Sequence, residues 1–139
     1  MPRTVREVMT AKPLALQQGT TLTEAARAMR DHDVGDVVLL DDDRVTGIVT
    51  DRDMTVRAVA EGMQPDETVL AQIASKDLVT VSPDAAVEEA VRLMRERAVR
   101  RLPVVEDGRP IGIVSLGDLA VEREPGSPLA DISASDPNR

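Results

Sequence analysis

Two short stretches carry residue types able to do chemistry: Thr50-Asp51-Arg52-Asp53 and Ser115-Leu116-Gly117-Asp118. In each, a hydroxyl stands three residues before a carboxylate. This is capping-box spacing, in which the hydroxyl accepts from an exposed helical N–H and the acid reaches back. A second use is compatible with the first. A strand that ends in Thr or Ser and runs directly into a helix sets unsatisfied backbone N–H groups beside the hydroxyl, which suits phosphate. An ionised carboxylate only accepts hydrogen bonds, so Asp53 and Asp118 are natural partners for two vicinal ribose hydroxyls. Cations stand close by in sequence: Arg52 inside the first motif, Arg100 and Arg101 ahead of the second. Guanidinium groups at these positions would neutralise phosphate by charge-assisted forks.

The two motifs close the halves of an internal repeat. Gly47-Ile48-Val49-Thr50-Asp51-Arg52-Asp53 returns 65 residues on as Gly112-Ile113-Val114-Ser115-Leu116-Gly117-Asp118, and the same offset relates Ala25 to Ala90, Met29 to Met94 and Val34 to Val99. An ungapped tandem repeat decides the fold before any single residue does. In the first copy, residues 4–9 read as a short helical lead, capped by Thr4 with Glu7 in the reciprocal position, and Lys12-Pro13 breaks it. Leu14-Ala15-Leu16 reads as an edge strand. Leu22, Ala25, Ala26 and Met29 recur at helical spacing on one face, and the helix is expected to end near 31–34, ahead of Gly35. Residues 37–40 and 45–49 predict a hairpin across the acidic turn Asp41-Asp42-Asp43, followed by a helix from Thr50 to Gly62.

The second copy repeats each element. Residues 69–74 match the lead, 78–81 the short strand, and Val87, Ala90, Val91 and Met94 the helical face. Strands at 102–105 and 111–114 and a helix from Ser115 to about residue 122 complete it. Each unit reads strand–helix–strand–strand–helix, an α/β (α+β) fold. The expected division is a first repeat at 4–62, a linker at 63–67, a second repeat at 68–122 and a mobile C-terminal tail at 123–139, where Pro, Gly, Ser and Asp dominate.

A chain of 139 residues fits one compact domain, or two small repeats too short to be stable apart. It has no Phe, Tyr or Trp, so the core must be aliphatic and there is no aromatic cage or base-stacking platform. Seventeen Lys and Arg against 25 Asp and Glu give a net charge of −8, which works against nucleic-acid and anionic-membrane binding. With no Cys there is no thiol nucleophile, and with His32 as the one His no conventional zinc site is expected. No metal is expected to be required. Nowhere do 18 apolar residues run together, and no signal-peptide pattern follows Arg3 and Arg6, so no membrane span and a cytoplasmic address are expected. A hydrolase would need a nucleophile with an activated base or metal. The sole His lies outside both motifs, so enzymatic turnover is not expected.

The repeated heptapeptide resembles the Gly-apolar-x-Thr/Ser-x-x-Asp signature of cystathionine-beta-synthase (CBS) domains. Val99-Arg100-Arg101-Leu102-Pro103-Val104 and Leu78-Val79-Thr80-Val81-Ser82-Pro83 support the likeness, which covers roughly residues 4–122. The chain is similar to stand-alone bacterial two-CBS proteins such as actinobacterial hypoxic response proteins. The resemblance implies a Bateman module: two repeats packed with pseudo-two-fold symmetry, with two clefts that take AMP, ADP, ATP or S-adenosylmethionine as regulatory ligand. Asp53 and Asp118 would match the ribose-binding acid, with Thr50 and Ser115 near ribose or phosphate and residues 10–16 and 75–81 helping to enclose the base. It also implies a homodimer, signalling to an unidentified protein effector, and a stress-related role. Arg100 and Arg101 align with Gly35 and Asp36, and Arg52 with Gly117, so unequal sites are expected. The competing expectation is a ligand-independent structural or interaction module whose motifs only cap helices.

Overall fold

The computed structural model describes residues 3–75 and 77–123. Thr4 and Glu7 meet at the start of helix α1 (Val5–Val8), where the Thr4 amide and hydroxyl both donate to Glu7 Oε1, at 3.3 and 3.2 Å. After strand β1 (Thr10–Ala11), Lys12 takes a left-handed conformation (φ 57°) and Pro13 follows, so the chain turns at the predicted break. Strand β2 (Ala15–Gln17) leads to helix α2 (Leu22–His32), whose N-cap hydroxyl on Thr21 accepts from the Glu24 amide at 3.2 Å. Leu22, Ala25 and Met29 are buried along it. Ala26, expected on the same face, is exposed, so the stripe is narrower than its spacing implied. Asp33, left-handed at φ 55°, ends the helix.

Strands β3 (Asp36–Asp41) and β4 (Arg44–Thr50) form the expected hairpin, with Asp36 opposite Thr50 and a bulge between Leu39 and Leu40. β2 joins β3 in parallel, giving the sheet order β2-β3-β4. Helix α3 (Asp51–Asp53) then widens into a π-helix (Met54–Val59) where an ordinary helix was expected. The Thr55 hydroxyl donates to the Asp51 carbonyl at 3.1 Å, a back-bond that loosens the helical ladder, and Ala60 N donates five residues back to the Thr55 carbonyl at 2.9 Å.

The second copy gives α4 (Leu70–Ile73), α5 (Val87–Arg97), β5 (Arg101–Glu106), β6 (Arg109–Ser115) and α6 (Leu116–Arg123). Its hairpin carries the same bulge, between Val104 and Val105. Residues 78–81 were expected to match β2, but only Val81 bridges to Val104. The third place in this sheet is taken by β1, antiparallel to β6, in the order β1-β6-β5. Gly112 permits that crossing. A Cβ there would lie 2.5 Å from Met9 Sδ and 2.9 Å from the Thr10 carbonyl oxygen, whereas one on Gly47 would lie no closer than 3.8 Å to Ala74 Cβ.

The chain folds as two compact units, Leu14–Leu78 and Met1–Pro13 with Val79–Arg139. In each, the lead helix of one copy completes the core of the other. Val5 from α1 is fully buried with Leu102, Val104 and Val114, and the Val5 amide donates to the Ala85 carbonyl at 2.9 Å. Leu70 and Ile73 from α4 are buried with Leu22, Leu39 and Val49, and the Leu70 amide donates to the Thr20 carbonyl at 2.9 Å. The tail expected at 123–139 lies, past Arg123, outside the described residues. Among the described residues no helix is long and apolar enough to cross a membrane.

Candidate functional site

Both hairpins end in a strand that passes without a loop into a helix, and the candidate side chains stand at these two junctions. At the first, extended backbone at Thr50 leads into α3. The Asp53 amide donates to Thr50 Oγ1 at 3.1 Å and the Thr50 amide donates to Asp53 Oδ2 at 2.9 Å. At the second, the Asp118 amide donates to Ser115 Oγ at 3.1 Å and the Ser115 amide donates to Asp118 Oδ2 at 2.8 Å. All four residues are half-buried. The boxes therefore close twice with the same atoms, and in both the carboxylate's Oδ1 stays outside the box.

The helix amides expected to suit phosphate are already engaged at the first junction. Asp51 N donates to the Gly35 carbonyl at 2.9 Å, Arg52 N to Asp51 Oδ1 at 2.8 Å, and Asp53 N to Thr50 Oγ1. At the second, Leu116 N donates to the Arg100 carbonyl at 2.8 Å. The expectation took amides beyond a strand end to be free. Here the neighbouring chain, one residue ahead of the paired strand, supplies a carbonyl to the first of them.

Sequence left open which motif Arg100 and Arg101 accompany. Within the second unit, Arg101 stands opposite Ser115 in the β5–β6 register, and the Arg100 carbonyl holds the amide after Ser115. The first junction has Asp36 opposite Thr50. Arg100, Arg101, Ser115 and Asp118 are thus gathered in one unit, and Thr50, Arg52 and Asp53 in the other. Arg52 and Arg100 are exposed, and Arg101 is half-buried.

Sequence reading overlooked Arg57. Its Nε lies 3.7 Å from Asp53 Oδ1, and its Nη1 donates to the Ile73 carbonyl at 3.4 Å. The i,i+4 spacing from Asp53 was the available signal. At the corresponding place in the second copy the residue is Glu122.

The duplicated βαββα pattern and its paired junctions define a CBS-domain tandem. The family model for the CBS domain matches residues 5–59 and 70–123, and the chain belongs to that family. The family's members are non-catalytic regulatory modules that bind ligands. Among individual relatives, Hypoxic response protein 1 of Mycobacterium tuberculosis is 36% identical over 118 residues, covering 84% of this chain and 82% of that one. The uncharacterized protein MK0525 of Methanopyrus kandleri is 40% identical over 116 residues, 82% of this chain but 57% of its own length. The crystal structure of Hypoxic Response Protein I with two coordinated zinc ions superposes with a TM-score of 0.77, covering 86% of this chain and 98% of that one. A hexameric CBS-CP12 protein from bloom-forming cyanobacteria, 26% identical, gives 0.79 over 89% and 74% of the two chains, so this CBS relative assembles as an oligomer. The CBS domain pair of protein MJ0100, solved with 5′-methylthioadenosine and S-adenosyl-L-methionine, shares the fold at 22% identity and a TM-score of 0.76, covering 86% and 94%.

The zinc ions of Hypoxic Response Protein I correct the expectation that no metal is required. That expectation rested on counting Cys and His, and zinc also takes Asp and Glu oxygens. Among the described residues of this chain, no three His, Asp or Glu side chains are grouped to hold a metal ion, so these residues do not themselves make up such a donor set.

Proposed function

We propose that this protein is a regulatory module that binds an adenosine ligand, AMP, ADP, ATP or S-adenosylmethionine, at its two strand-to-helix junctions. The observation that carries the reading is the pair of matched boxes. Each fixes a carboxylate through Oδ2 and keeps Oδ1 outside the box, at Asp53 facing Arg57, as the oxygen to accept from a ribose hydroxyl. With the first-junction amides engaged, phosphate recognition falls to side chains, and Arg100 and Arg101 beside Ser115 favour the second junction for a phosphorylated ligand. The module acts as a homodimer in the cytoplasm and passes its state to a protein effector. For that to work as a switch, ligand must bind two geometries unequally.

A second reading has its own support. The boxes are complete helix caps without any ligand, as a constitutive interaction module would need. Isothermal titration calorimetry of nucleotide-free protein with the four ligands, for the unaltered chain, Asp53→Asn and Asp118→Asn, separates the two. The titrations are run with zinc added and after chelation. Saturable binding weakened by either substitution in a folded protein supports the sensor. Absence of heat across the series leaves the constitutive module.

A further inference from the structure

The two carboxylates that the proposed function relies on differ in one respect. Asp53 Oδ1, the oxygen outside the capping box, faces Arg57 Nε at 3.7 Å, and the Asp53 side chain is only 20% exposed. The same guanidinium reaches the Ile73 carbonyl through Nη1, so it is anchored at its far edge as well. In the second copy the residue four beyond the acid is Glu122, an anion that cannot take this role.

We infer that Arg57 is a built-in competitor for the ligand position on Asp53, so that the Ser115–Asp118 junction fills first and the Thr50–Asp53 junction only when Arg57 is displaced. The inference rests on the proposed ligand reading. A ribose diol and a guanidinium are both donors and need the same carboxylate oxygen. Occupying Asp53 Oδ1 therefore costs the ion pair, while the residue that matches Arg57 beyond Asp118 is the anion Glu122. Arg57 thus sets the order of filling.

A neutral probe isolates this effect, because a phosphorylated one would also be attracted by Arg57. Adenosine is titrated, with ligand-observed NMR, into the full chain carrying Asp118→Asn, with and without Arg57→Gln. Removing the competitor is expected to tighten adenosine binding about two- to fivefold, the scale of a partly exposed ion pair. Raising sodium chloride screens that pair. It is expected to tighten binding in the Asp118→Asn chain and to leave the double variant unchanged, a response that a merely structural role for Arg57 does not produce. If Arg57→Gln loosens the fold by releasing the Ile73 carbonyl, the salt response of the Asp118→Asn chain alone decides. Unchanged or weaker binding on substitution, or binding that salt does not tighten, overturns the inference. Failure of the otherwise unaltered chain to bind adenosine while it binds AMP, ADP, ATP or S-adenosylmethionine overturns this inference alone; failure to bind any of them overturns the functional reading, and this inference with it.

Discussion

Ser115 and Asp118 hold each other across the β6–α6 junction, the Ser115 amide on Asp118 Oδ2 at 2.8 Å and the Asp118 amide on Ser115 Oγ at 3.1 Å. Ser115→Ala removes the acceptor for one helical amide and is expected to cost about 1 kcal/mol. Asp118→Asn keeps an oxygen able to accept from the Ser115 amide, so its cost is expected to be smaller. Urea denaturation of both variants measures the difference. Equal midpoints for unaltered protein and Ser115→Ala would show that the hydroxyl contributes nothing as a cap.

The two motif glycines should respond differently to a methyl group. Gly112→Ala drives Cβ into Met9 Sδ and the Thr10 carbonyl and is expected to destabilise by about 1–3 kcal/mol as β1 shifts off β6. Gly47→Ala meets only ordinary contacts, the nearest at 3.8 Å, and is expected to stay within about 0.5 kcal/mol. Adding Met9→Ala to Gly112→Ala should restore part of the loss, since the backbone oxygen remains 2.9 Å away. Denaturation midpoints that rank the two glycine variants equally would contradict the close approach of β1.

Val5 reports on which core the lead helix serves. It is fully buried beside Leu102, Val104 and Val114, so Val5→Ala is expected to cost about 2 kcal/mol. The loss should be local in hydrogen exchange. Amides of β5 and β6 lose protection while those of β3 and β4 keep theirs. Loss confined to β3 and β4 would mean that α1 belongs with its own copy.

Much of this was readable in the sequence, for reasons that differ from element to element. α2 announced itself because burial imposes a helical period on Leu22, Ala25 and Met29, and β3 because Val37–Leu39 form a continuous buried apolar run bounded by turn residues. The capping boxes were readable because both partners lie within four residues. Features that depend on distant chain were not. Thr10 and Ala11 are too few to show a strand period, and their place beside β6 follows from Gly112, whose need for a bare Cα exists only once Met9 and Thr10 cross it. The engaged amides of Asp51 and Leu116 depend on carbonyls from Gly35 and Arg100 across the hairpin. The metal expectation failed for another reason, since composition counts donors without saying which oxygens are brought together.

The exchange of lead helices has a consequence for how the protein is made. Leu14–Leu78 contains every segment of its own unit, so it can close once Leu78 has cleared the ribosome. Residues up to Pro13 emerge earlier but belong with a core whose last strand and helix end at Ser115 and Arg123. At ordinary elongation speeds the delay is on the order of ten seconds. Through that interval Val5 has no core to enter, and a segment synthesised ahead of its partners is put away after them.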